Sequence, residues 1–203
     1  MMQMFLQRFV KLTGYLPLSL FCGMKVYGRE NLPKEPCILV ANHGSMMDPV
    51  LLQVVFPMKH ISFLCAKRLF QCPRICQAFL RRLGAVPVID GVSEMKVLKE
   101  RADKADENHL IGFFSQGRIS QTQTSFMPGA AVLALQTGLP LVPVFMRCAP
   151  FYKGGSRICI GKPVSAAKTA AFDRAQVDLI TQDIRTRVYE LSITPATSKR
   201  KKV

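Results

Sequence analysis

The sequence predicts an α/β fold, a single-domain mixed sheet flanked by helices and preceded by an N-terminal amphipathic, membrane-associating helical segment. Three observations predict it. Short apolar runs of strand length recur along the chain, segments with helical spacing separate them, and no repeat or Gly/Ser/Pro-rich linker divides the chain. At 203 residues, 49% hydrophobic and 20% charged, the chain has a folded composition and can bury a sizeable core. The expected organisation is an interfacial segment at 1–23, a domain at 24–194 and a disordered basic tail at 195–203.

The first segment is apolar but interrupted by Lys11, Gly14 and Pro17, so it falls short of the ~20 apolar residues of a spanning helix. It lacks the charged start of a secretory signal. Apolar Met4, Phe5, Phe9, Val10 and Leu12 interleave with Arg8 and Lys11, the pattern of a helix lying in a membrane interface; a core-packing helix is the alternative.

Pro33 and Pro36 bracket a turn, after which Cys37 to Ala41 (CILVA) reads as a buried strand. Met47 to Phe56 has helical spacing with Pro49 in its first turn, and Pro57 marks its end. Ile61 to Ala66 reads as a strand. Pro73 opens a helix that runs to about Leu83 and stops at Gly84, and Val86 to Ile89 is a short strand. Ser93 caps a charged helix reaching about Glu107, and Leu110 to Phe114 is the next strand. Residues 115–127 form a polar loop. A helix from Pro128 to Thr137 ends at Gly138, Leu141 to Met146 and Arg157 to Ile160 are strands, and a last helix spans about 171–192.

Charge narrows the partners. The net charge of +15 favours nucleic acid, anionic lipid headgroups or a phosphorylated carrier. No zinc-finger spacing, RNP-like aromatic pattern or basic heptad region carries a nucleic-acid reading, so the charge points to an anionic membrane surface. The seven cysteines, an odd number without a C-x-x-C pair, read as free thiols in a reducing compartment, and no metal site is expected.

Two polar loops follow apolar strands directly, and strand-end loops are where such folds place chemistry. In the first, Asn42 to Asp48, His43 leaves a strand and Asp48 falls in the first turn of a helix. The bend can fold the carboxylate onto the imidazole, fixing its tautomer and leaving the other ring nitrogen to take a proton. The same spacing also fits a helix-capping aspartate beside an ordinary strand-end histidine. In the second loop, Phe114 to Ser120, a glycine permits close backbone approach beside Arg118, which suits a phosphate; a plain turn is the other reading. His60 and His109 lack a nearby sequence partner and read as surface histidines.

Together these loops resemble the glycerolipid acyltransferase family, which includes 1-acylglycerol-3-phosphate acyltransferases. The family's N-H-x4-D block is matched by Asn42, His43 and Asp48. Its second block resembles Gly84 to Asp90, its F-P-E-G-R block resembles Phe114 to Arg118, and its V-P-V strand is matched by Val142, Pro143 and Val144. The small-residue helix between the last two blocks is matched by Pro128 to Ala134, and the resemblance covers roughly 24–165.

The resemblance implies an enzyme that moves a fatty acyl group from an acyl thioester, acyl-CoA or acyl-ACP, to the free hydroxyl of lysophosphatidic acid in phospholipid biosynthesis. His43 would be the base and Asp48 its orienting group, with Asn42, Gln116, Gly117 and Arg118 as substrate-binding residues. The thioester serves as co-substrate, with no other cofactor and no metal. The partners implied are the lysophospholipid, the thioester, acyl carrier protein and the cytoplasmic face of a membrane, held peripherally or monotopically. Three departures stand out: Gln116 replaces a glutamate, Ser115 replaces a proline, and Asp90-Gly91 replaces a common arginine, for which Lys96, Arg81 and Arg82 are candidate substitutes. Gln116 leaves open a different lysophospholipid headgroup, or a non-catalytic lipid-binding member of the fold.

Overall fold

A run of five apolar residues, Cys37–Ala41, forms the strand around which the molecule is built. Its side chains alternate between two cores, as the two-residue period of a strand requires. Ile38 and Val40 enter one hydrophobic cluster; Cys37, Leu39 and Ala41 enter the other. Burial on both faces explains why the strand is apolar throughout and does not alternate with polar residues.

The computed structural model describes residues 24–193, apart from 57–58, 89–91, 104–108, 121, 150–154, 170 and 172. The expected interfacial segment 1–23, the basic tail 195–203 and the Asp90-Gly91 pair lie outside the described residues.

Within them the seven strands are β1 (Lys25–Tyr27), β2 (Cys37–Ala41), β3 (His60–Ala66), β4 (Ala85–Val88), β5 (His109–Phe114), β6 (Leu141–Arg147) and β7 (Arg157–Ile160). The helices are α1 (Asp48–Val55), α2 (Arg74–Arg82), α3 (Val92–Asp103), α4 (Gly129–Thr137) and α5 (Arg174–Ile193). A single sheet runs in the order β1-β7-β6-β2-β5-β3-β4. Every neighbouring pair is parallel except β6 and β7, so the sheet is mixed, as expected.

Helices cover both faces. Leu51, Leu52 and Val55 of α1 pack on the face bearing Leu39. Leu98 of α3, Leu133 of α4 and Ile184 and Val188 of α5 pack on the face bearing Val40. Gly84 ends the excursion through α2 with φ 86°, and a Cβ there would lie 2.0 Å from the Ile61 carbonyl oxygen. Only glycine fits that left-handed, crowded position.

Three features differ from expectation. Helix α3 starts at Val92, so Ser93 lies inside it and not at its cap. Strand β1 was not anticipated: three residues, Lys-Val-Tyr, carry no readable period, and the strand forms because β7 offers a parallel edge to Val26. The last helix starts at Arg174 instead of near 171, where the Asp173 carboxylate accepts from the Gln176 N–H at 2.7 Å and acts as its cap.

Candidate active site

Strands β2, β5 and β3 run parallel, so their C-terminal ends share one edge of the sheet. Pairing of Ala41 with Phe114 sets the two chemistry-bearing loops side by side at that edge. Three bonds tie them together. Ser115 N–H donates to the Ala41 carbonyl at 3.2 Å, and Ser120 N–H donates to the His43 carbonyl at 2.7 Å. The His43 N–H donates to Gln116 Oε1.

In the first loop the imidazole and the carboxylate meet: His43 Nδ1 lies 3.0 Å from Asp48 Oδ2. The same oxygen accepts from the Gly44 and Ser45 N–H groups at 2.8 and 2.9 Å. The other oxygen, Oδ1, accepts from the Cys148 thiol at 2.7 Å. Asp48 is fully buried, so these four donors replace the water that burial removes. It sits at the start of α1, where the helix dipole also favours a negative charge. With Nδ1 committed to a carboxylate, the neutral ring carries its proton there, and Nε2 has a lone pair for a proton. The side chain of His43 keeps 17% of its surface exposed while that of Asp48 keeps 1%, so the ring meets solvent and its partner does not. The Phe114 ring lies against the imidazole, centroids 4.7 Å apart, and limits its rotation.

The second loop turns at Gly117, where φ is 67° and a Cβ would meet the Met127 sulfur at 2.5 Å. The left-handed φ requires glycine, while the exposed Met127 side chain could move aside. The turn leaves Gly117 and Arg118 exposed beside the histidine loop. A guanidinium and backbone N–H groups so placed can take an anion.

Asn42 and Gln116 use their amides differently. Asn42 Nδ2 donates to the Met146 carbonyl at 2.8 Å, and Oδ1 accepts from the Met146 N–H at 2.7 Å. It extends the β2–β6 ladder by one side chain. Gln116 is buried; its Nε2 faces Thr122 O at 3.1 Å, Thr124 Oγ1 at 2.9 Å and Tyr189 OH at 3.2 Å. Both amides are committed to protein partners.

Comparison with known proteins decides the family. A family model described as Acyltransferase matches residues 23–147, more than half of the chain and both loops. The chain belongs to the acyltransferase family. Among its relatives, the 1-acyl-sn-glycerol-3-phosphate acyltransferase of Bacillus subtilis is 28% identical over 181 residues, covering 86% of this chain and 90% of the relative. The chloroplastic 1-acyl-sn-glycerol-3-phosphate acyltransferase BAT2 of Brassica napus is 27% identical, covering 89% of this chain and 54% of its own, so the chain spans about half of that relative. A crystal structure of the 1-acyl-sn-glycerophosphate acyltransferase PlsC from Thermotoga maritima matches the fold with a TM-score of 0.66 at 22% identity, over 97% of this chain and 81% of that one.

The candidate site contains three residues whose roles sequence reasoning missed. Cys148 reaches Asp48 from a distance of 100 positions. Tyr189 of α5 holds the second loop, its hydroxyl accepting from the Thr124 N–H at 3.2 Å while facing Gln116. Phe114 was read as the end of an apolar strand, not as a wall for the imidazole. Cys148 and Tyr189 have no local sequence signal, because their contacts are made across the sheet edge, whereas Phe114 opens the block that resembles the family's third motif. Of the candidate substitutes for the missing arginine, Arg81 lies over the Phe70 ring at 5.2 Å, and Arg82 and Lys96 are exposed. His60 and His109 are not isolated: their rings meet edge to face at 4.9 Å, and His109 Nε2 lies 3.0 Å from Ser62 Oγ. At the far end of β2 from the site, burial pushes the Cys37 thiol up to about 12, partly offset by Lys59, so it stays protonated and inert.

Proposed function

We propose that this acyltransferase moves a fatty acyl group from acyl-CoA or acyl-ACP to the free hydroxyl of lysophosphatidic acid, at an anionic membrane surface. The observation that carries the reading is the buried Asp48 carboxylate 3.0 Å from His43 Nδ1, on the loop next to the Gly117–Arg118 turn. The names of the relatives in Bacillus and Brassica support the acceptor.

In this mechanism His43 Nε2 takes the proton of the acceptor hydroxyl as its oxygen attacks the thioester carbonyl carbon. Asp48 holds the ring and stabilises the imidazolium. Collapse of the tetrahedral intermediate breaks the C–S bond, and the imidazolium returns its proton to the departing thiolate. No acyl-enzyme is formed. Gly117 and Arg118 bind the acceptor phosphate, which places the hydroxyl at the base. Asn42 and Gln116 support this geometry by holding the two loops to β6 and to α5. The +15 charge and residues 1–23 hold the protein peripherally on the cytoplasmic leaflet, where the lysophospholipid acceptor resides.

The test is a panel of lysolipids offered with labelled acyl thioester to purified protein. Transfer to lysophosphatidate is expected. Transfer to other headgroups alone would replace the acceptor, and lipid binding without turnover would overturn the enzymatic reading.

A further inference from the structure

Among the described α-helices α2 alone has no buried residue, and the 3-10 turn before it, Lys67–Phe70, buries none either. Helix α4, of the same nine-residue length, buries five. A helix that carries Ile75 and Phe79 on an exposed side has apolar surface in the wrong place for water. Ile75 is 84% exposed and Phe79 57%, and they lie one turn apart on one stripe, with Leu80 and Leu83 at its margin. Arg74 and Arg81 lie on the opposite arc, and Arg82, three residues from Phe79 and seven from Ile75, borders the stripe.

From the structure we infer that this hairpin, residues 67–83, is a docking element for an anionic lipid bilayer, with the Ile75–Phe79 stripe seated in the acyl boundary. The inference rests on the reading of the chain as an enzyme of lipid substrates. Four observations support a bilayer as the occupant. Residues 67–83 hold Lys67, Arg68, Arg74, Arg81 and Arg82 and no acidic residue, so the surface complements an anionic leaflet. An apolar arc bordered by arginines is the pattern of a helix lying in the interface, where the long stems reach up to headgroups. The surface is preformed, because the Arg81 guanidinium sits over the Phe70 ring at 5.2 Å and Gln77 Nε2 donates to the Cys72 carbonyl at 3.0 Å. Finally, the turn leaves β3 at Ala66, on the sheet edge that carries His43 and the 117–118 turn. That edge also exposes Met46, Met47, Ile119 and Met127. A bilayer met by the hairpin therefore faces the reactive histidine, and its lysolipid need not leave the interface to reach it.

The sequence supplies a clean probe, since the chain contains no tryptophan. Phe79→Trp, made in the full chain, places a sole indole on the stripe. With equimolar phosphatidylglycerol–phosphatidylcholine vesicles its emission should move to shorter wavelength and be quenched by lipids brominated in the acyl chain. Phosphatidylcholine alone should give a weaker response. Replacing Arg74, Arg81 and Arg82 by glutamine should lower affinity for the anionic vesicles by about 10²-fold, roughly fivefold per charge. Three outcomes overturn the proposal: an indole still exposed when the protein has bound vesicles, an indole already shielded without lipid, or a shift that follows protein concentration without lipid, which would mean a second copy on this face. Transfer to lysolipid in detergent micelles is measured alongside. Turnover with an exposed indole removes the docking element alone; indole insertion without turnover on any lysolipid removes the acyltransfer reading alone.

Discussion

Replacing Gln116 by glutamate, the residue the family pattern places there, should weaken this protein. The amide oxygen accepts from the His43 N–H, and a carboxylate could do the same. The amide nitrogen is the part that cannot be replaced. It faces Thr122 O at 3.1 Å, Thr124 Oγ1 at 2.9 Å and Tyr189 OH at 3.2 Å. The two hydroxyls can rotate to donate to a carboxylate, but the Thr122 carbonyl cannot, and a glutamate oxygen would face it as acceptor against acceptor. Thr122 is exposed and its carbonyl also accepts from Ser120 Oγ at 3.4 Å, so the larger cost is a charge placed where Gln116 is buried, about 1–3 kcal/mol. Arg185, which donates to Thr124 O at 2.9 Å and sits 5.4 Å from the Tyr189 ring, offsets part of that charge. The net expectation is about 1–2 kcal/mol. For a domain of this size that is roughly 2–8 °C in Tm. Because the same amide binds the backbone of His43, kcat should fall by about tenfold as the loop loosens. Thermal melts followed by circular dichroism and steady-state kinetics check both numbers. A variant with unchanged Tm and kcat would show that the amide is no clamp, and that the glutamine is an incidental substitution.

Three further outcomes are expected. His43→Ala should lower kcat by about 10²–10⁴-fold, the usual contribution of a positioned base, while stability changes by about 1 kcal/mol or less because Asp48 keeps three of its four donors; retained turnover would move the base elsewhere. Arg118→Ala should raise the acceptor KM about 10- to 100-fold with little change in kcat, the loss of a charge-assisted bond to phosphate that is made in ground and transition states alike; an unchanged KM would remove Arg118 from that role. For Cys37, burial raises the thiol from 9.0 to about 12. Its stabilising contribution is therefore complete below pH 9 and is lost between pH 9 and 12, as the unfolded thiol ionises and the folded one does not. The slope is about 1.4 kcal/mol per pH unit for one proton. Denaturant melts across that window should show it, and Cys37→Ala should lack it.

The parts of this molecule that could be read from sequence are those whose cause is local. CILVA is apolar throughout because it is buried on both faces, and helix α2 stops where Gly84 must adopt a left-handed turn. The H-x4-D spacing is legible for the same reason: one bend places the aspartate at a helix start, and backbone donors three and four residues before it complete it. What escaped is whatever the sheet order creates. Strand β1 is three residues that pair only because β7 presents an edge. Cys148 and Tyr189 join the site across 100 and 73 positions, and nothing in their neighbourhoods marks them. Gln116 is the instructive case. Read against the family pattern it is a charge lost beside a phosphate; read against its neighbours it is an amide chosen by a carbonyl and two hydroxyls. Sequence shows the deviation, and only the Thr122 carbonyl and the Tyr189 hydroxyl say what the deviation answers. A substitution in a motif therefore cannot be scored as decay until its partners are known. In this chain the partners fit the glutamine better than they would fit the residue it replaced.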